Sequence, residues 1–184
     1  MKKIIVIVAV LLIIFIVGSM FVSRIVSRKL GEKTLERAME KASGGKVDVD
    51  VNQDGDKVEM TWETEEGQVQ VSSKGTLPKG FPSQIPLYKG YKIAGSMTTD
   101  NGASGTVSLS VSDDTEKVYS YYQDEFESNN WNISSTYSAD EAKYISVEKD
   151  DFRVSIIVNK DTNSEDTMIV ISYGPNETDQ NLEE

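Results

Sequence analysis

The spacing of apolar residues changes several times along the chain, and each change marks an element. From Ile4 to Val22 the run IIVIVAVLLIIFIVGSMFV carries no charge over 19 residues. At about 1.5 Å rise per residue, a helix of that length spans close to the ~30 Å hydrocarbon core of a bilayer. The pattern therefore predicts a transmembrane anchor over residues 1–22. Beyond it, Leu35, Ala38, Met39 and Ala42 recur at the i, i+3, i+4, i+7 spacing of one helical face. This predicts a juxtamembrane stem helix over 23–45, stopped by Gly44-Gly45. The apolar stripe of the stem is read as docking on its own domain; the sharper alternative pairs it with another membrane protein.

The period then shortens to two. Val47, Val49 and Val51 alternate with polar residues, as do Val58, Met60 and Trp62, and a further strand follows over 68–72. This predicts a three-strand meander over 46–73. In residues 74–90, Leu77, Phe81 and Ile85 each precede a proline, and proline pushes its predecessor into extended geometry. The segment reads as a stiff strap whose apolar residues lie in a groove of the following domain. Residues 91–173 return to alternation, with Tyr91, Ile93 and Met97 along one strand and Val107, Leu109 and Val111 along the next. Val118, Tyr119, Tyr122 and Phe126 then share one helical face, after a cap at Asp113 or Asp114 and before Asn129-Asn130. Trp131 and Ile133 open a third strand, and three more complete an antiparallel sheet covered by the helix. The fold class is α+β: an N-terminal transmembrane helix and stem, an antiparallel meander, and a β-β-α-β-β-β-β unit. Residues 174–184 form an acidic tail.

Charge and composition narrow the function. The formal net charge is −11, yet residues 1–45 carry eight Lys/Arg against Glu32, Glu36 and Glu40. The acidity thus lies entirely beyond the stem, and a body of that sign lacks the basic surface that nucleic-acid binding requires. Cysteine and histidine are both absent, which removes thiol nucleophiles, disulfides, imidazole bases and the usual zinc sites. A basic start followed by an apolar run is also the secretory pattern. The small-residue site Val17-Gly18-Ser19 is followed by more apolar sequence, so an uncleaved anchor is preferred. Counting Lys/Arg on the two flanks favours a cytoplasmic body. The preferred reading nevertheless places the body outside, because a short tail bearing Lys2 and Lys3 translocates poorly while long domains cross largely regardless of charge.

The remaining motifs have structural readings beside their chemical ones. Asp50, Asn52, Asp54 and Asp56 follow the opening of a calcium loop, but the bidentate Glu such a loop needs at its twelfth position is replaced by Thr61. The favoured reading is a hairpin turn at Asp54-Gly55, with millimolar calcium binding by Asp48, Asp50, Asp54 and Asp56 as the alternative. Ser146 and Lys149 match SxxK, but residues three apart on a strand face opposite ways. The pairs Asp113/Asp114 and Asp150/Asp151 suit a helix cap and a turn, with carboxylate catalysis as the alternative. All eight tyrosines lie between 88 and 173; the favoured reading puts Tyr119 and Tyr122 in the core with Tyr121, round the helix from them, partly exposed, and the alternative is an exposed aromatic patch that marks a binding surface. Leu35, Met39 and Tyr121 are the partner-contact candidates.

The stretches LPKGFPSQIPLYKG, SDDTEKVYSYY and NNWNISS together resemble a family of uncharacterised bacterial membrane-anchored or lipoprotein-like extracytoplasmic domains. That family carries a Leu-Pro-x-x-Phe-Pro-x-x-x-Pro-x-Tyr strap ahead of a small α+β unit. The resemblance covers about residues 36 to 173 and brings no catalytic or binding residues with it. It implies a cell-membrane, single-pass protein with its C-terminal domain outside a bacterial cell. The expected role is non-catalytic binding or scaffolding, with an envelope or membrane protein as partner and no cofactor.

Overall fold

The computed structural model describes residues 47–51, 57–64, 67–99, 102–140, 142–162 and 164–176. The apolar run, the stem with Leu35 and Met39, the turn residues Asn52, Asp54 and Asp56, and the tail beyond 176 lie outside the described residues. Among the described residues no helix is long and apolar enough to cross a membrane. The chain divides into two compact units, residues 1–74 and 75–184.

In the first unit, β1 (Val47–Val51), β2 (Val58–Thr64) and β3 (Gly67–Ser72) form an antiparallel meander. Alternation in the sequence becomes alternation in space, since Val58, Met60, Val69 and Val71 are buried and Met60 stands opposite Val71. Polar residues close the free end. The Ser73 N–H donates to the Val58 carbonyl at 2.9 Å, Val58 N–H donates to Ser73 Oγ at 2.9 Å, and Lys74 pairs with Glu59.

The second unit is a six-stranded antiparallel sheet packed by one helix. Its elements are β4 (Lys92–Thr99), β5 (Ser104–Val111), α1 (Thr115–Ser128), β6 (Asn132–Ser138), β7 (Ala142–Lys149), β8 (Phe152–Lys160) and β9 (Thr167–Pro175). Strand order is β4-β5-β9-β8-β7-β6. After β5 the helix carries the chain across the sheet to its far edge, and three hairpins bring it back until β9 pairs with β5, with Leu109 opposite Ile169. The strands in the middle are therefore the most apolar. Val107, Leu109, Val154, Ile156, Ile169 and Ile171 are all fully buried, each stabilising the fold by about 1.5 to 3 kcal/mol.

The helix begins and ends as its local sequence dictates. Asp114 is the N-cap, with its Oδ1 accepting from the Lys117 N–H at 2.8 Å. At the other end Asn130 takes φ 58°, the Trp131 N–H bonds the Phe126 carbonyl at 3.0 Å, and the Asn130 N–H bonds the Glu127 carbonyl at 3.2 Å. This is a Schellman motif, and its apolar contact is Trp131 edge-on to Phe126 at 5.5 Å. Trp131 therefore closes the helix and does not open β6 as expected.

Two further expectations change. The strap is not uniformly extended: Phe81 N–H bonds the Pro78 carbonyl at 3.2 Å and Ile85 N–H bonds the Pro82 carbonyl at 3.1 Å, so turns alternate with the apolar residues. Ile85 and Tyr88 still enter the core of the unit, and Leu77, Phe81 and Leu87 pack against it. In β4 a bulge between Ile93 and Gly95 shifts the register. Ile93 stands opposite Leu109 on the helix side, while Met97 stands opposite Thr106 on the other side, so the two do not share a face.

Candidate functional site

Among the described residues, a connected set of interacting side chains lies where the strap meets the start of α1. The Tyr88 hydroxyl donates to Asp113 Oδ2 at 2.7 Å, and Lys117 Nζ donates to Asp113 Oδ1 at 2.7 Å. From Tyr88 a chain of rings runs along the helix through Tyr121, Tyr122 and Phe126 to Trp131, with centroid spacings of 4.9, 5.2, 6.1 and 5.5 Å. Most are edge-to-face, the geometry that ring quadrupoles favour. The helix period accounts for the Tyr122–Phe126 step, since residues four apart stack along one side, while the strap and the helix end supply Tyr88 and Trp131.

The electrostatics of this cluster hold its groups away from neutral-pH chemistry. Hydrogen bonds from Lys117 and then Tyr88 keep the Asp113 carboxyl below its ordinary range. Burial, reinforced by the hydrogen bond to Asp113, raises Tyr88. The hydrogen bond to Asp113 raises Lys117. Burial pushes Tyr122 far above the usual phenol value, and its hydroxyl lies toward the Tyr88 backbone without reaching hydrogen-bond geometry. A carboxylate held ionised beside phenols held protonated is poorly matched to general acid–base work near pH 7. The arrangement fixes the strap to the helix.

Tyr121 belongs to the same junction. It is half-buried, and its hydroxyl donates to the Leu87 carbonyl at 3.0 Å. Lys143 is buried on β7, where Nζ meets Glu116 at 2.6 Å and Ser138 Oγ at 2.9 Å and lies 5.6 Å from the Tyr119 ring centroid. Ser146 stands opposite Ser155, whereas Lys149 reaches the Asn129 carbonyl at 2.9 Å near the Trp131 ring. The two members of the SxxK match are thus on opposite sides of the sheet. Asp150, at φ 53°, and Asp151 form the two-residue turn between β7 and β8. Asp50 lies in β1 opposite Glu59, and among the described residues no group of three or more Asp or Glu side chains is placed to hold a metal ion. A shallow open depression beside β4 is lined by Gly75, Thr76, Leu77, Tyr91, Lys92 and Ile93.

Apart from Ser146, singled out only for the SxxK match, sequence reasoning missed the residues on the sheet face opposite the helix. Thr106, Ser146, Ser155 and Ser172 come together there from four strands. Their signal was the polar half of the alternation, which fixes the face each takes but not which strands meet.

A family model described as START domain-like matches residues 93–167, from the second residue of β4 to the first of β9. No curated protein and no solved structure matches the chain.

Proposed function

We propose that this chain is a single-pass membrane protein that holds an acidic α+β unit outside a bacterial cell as a non-catalytic binding or scaffolding module. The observation that carries the reading is the uncharged run from Ile4 to Val22 between Lys2-Lys3 and Arg24, long enough to cross a bilayer. In support of a non-catalytic role, the helix-covered side of the second unit is filled by its own side chains, with Tyr122, Phe126, Ile145 and Ile156 at 0 % exposure. The shifted groups of the Tyr88–Asp113–Lys117 cluster are moved away from neutrality, and a closed core of this kind positions a surface. The START domain-like match over 93–167 is compatible with a compact unit of this size and assigns no activity to it.

The test is a pair of C-terminal fusions, one to a phosphatase active only outside the cytoplasm and one to a reporter active only inside it. Activity of the phosphatase fusion alone, with the full-length product resisting alkaline extraction from membranes, is the expected result. Activity of the cytoplasmic reporter, or release of a mature chain beginning beyond Ser19, would falsify the reading.

A further inference from the structure

The sheet face opposite α1 carries two parallel rows that run across the strands. In the first, Tyr137 stands opposite Tyr144, Tyr144 opposite Ile157, and Ile157 opposite Val170. Tyr137 is 62 % exposed and Ile157 is 41 % exposed, the two large hydrophobic residues left in the open among the described residues. In the second row, Ser135 faces Ser146, Ser146 faces Ser155, Ser155 faces Ser172, and Ser172 faces Thr106. Neighbouring strands lie about 4.8 Å apart, so this row of five hydroxyls spans roughly 19 Å.

Four of the five hydroxyls are oriented by contacts with one another or with Tyr144. Thr106 Oγ1 and Ser172 Oγ are 3.1 Å apart, Ser155 Oγ donates to Ser146 Oγ at 3.5 Å, and the Tyr144 and Ser155 hydroxyl oxygens are 3.3 Å apart. Each hydroxyl has one donor and two acceptor sites; Ser146 is buried at 6 % exposure, so the capacity open to a ligand lies on Ser135, Ser155, Ser172 and Thr106. The charges close to the rows cancel, since Arg153 holds Glu148 through Nε at 3.0 Å and NH2 at 2.7 Å. On a chain of net charge −11, the two rows form an uncharged strip.

We infer that this strip binds an extended, neutral polysaccharide laid across the strands. A pyranose ring has an apolar C–H face and a rim of hydroxyls, and a β-linked chain repeats that division at a spacing close to the strand separation. Tyrosines supply rigid contact area at low entropic cost, so the Tyr137–Val170 row takes the ring faces while the Ser/Thr row exchanges hydrogen bonds with the rims. A polypeptide strand presents no such continuous hydroxyl edge, and an anionic polymer finds no uncompensated cation in the two rows. The inference deepens the binding role proposed above and rests on the unit being presented at the envelope.

The experiment is calorimetric titration of the full-length chain in detergent micelles with cellohexaose and with chitohexaose, each against Tyr137→Ala and Ile157→Ser. Both substituted positions are exposed, so thermal melts are expected to match the parent. The expected result is saturable binding of at least one hexasaccharide, weakened fivefold or more by each substitution and abolished in the double variant. Absence of binding to both sugars, or binding unaffected by the double variant, overturns the inference. So does a concentration-dependent dimer lost in Tyr137→Ala, which would make a second copy the occupant. These titrations do not depend on membrane orientation, so failure of the fusion assay leaves their result intact, and the reverse also holds.

Discussion

The Tyr88 hydroxyl donates to Asp113 Oδ2 across 25 residues of sequence and 2.7 Å of space, fastening the end of the strap to the residue before the helix N-cap. Tyr88→Phe keeps the ring against Tyr121 and removes only this bond. The melting temperature should fall by a few degrees, as for loss of one charge-assisted hydrogen bond. The pH dependence follows from the lowered Asp113 carboxyl. A group whose folded-state pKa is depressed contributes stability above its ordinary range and loses it as pH falls through the folded value. The advantage of the parent over Tyr88→Phe should therefore be full near pH 7 and shrink in melts taken at progressively lower pH below about 4.

Tyr122 and Phe126 occupy one helix face and should respond oppositely to substitution. Phe126 is fully buried between Tyr122 and Trp131, so Phe126→Ala should cost about 3 to 5 kcal/mol in urea unfolding. The Tyr122 hydroxyl is buried with no hydrogen-bond partner, so Tyr122→Phe should be neutral or stabilising. Burial raises the Tyr122 pKa, and a raised group loses its contribution as pH climbs from the unfolded value toward the folded one. The parent should lose stability above about pH 10 more steeply than Tyr122→Phe.

Asn130 holds the left-handed turn that ends α1. Asn130→Gly should leave stability unchanged or raise it slightly, whereas Asn130→Val should cost about 1 to 2 kcal/mol. Thermal unfolding of the two variants side by side distinguishes this from a side-chain role, in which both would be equally damaging.

Gly102 lies at φ 94°, where an added Cβ would fall 2.2 Å from the Lys79 carbonyl oxygen and 3.1 Å from Gly80 Cα. Gly102→Ala must push the β4–β5 turn off the strap. Stability should drop by about 2 kcal/mol or more, and amide exchange should quicken at Phe81 and Ile85. A variant with unchanged exchange there would show that the strap does not depend on this approach.

The sequence by itself determined the element order of the second unit. Val107, Leu109 and Val111 could only be a half-buried strand, Val118, Tyr119, Tyr122 and Phe126 only a helical face, and Asp113 or Asp114 its N-cap, because backbone geometry imposes those periods locally; the structure chose Asp114. Alternation failed where one extra residue broke it, as between Ile93 and Met97, since a bulge leaves no mark in a two-residue period. The Schellman closure at Trp131 was hidden for a similar reason: the aromatic–β-branched look of Trp131 to Ile133 is shared by a strand start and a helix stop, and contact with Phe126 decides between them. Only the tertiary structure placed β9 beside β5, brought Tyr88 to Asp113 and Lys143 to Glu116, and lined up Ser135, Ser146, Ser155, Ser172 and Thr106. Those partners lie on separate strands and loops, and which edges meet is set by how much apolar surface the whole chain can bury at once, a quantity no local window contains.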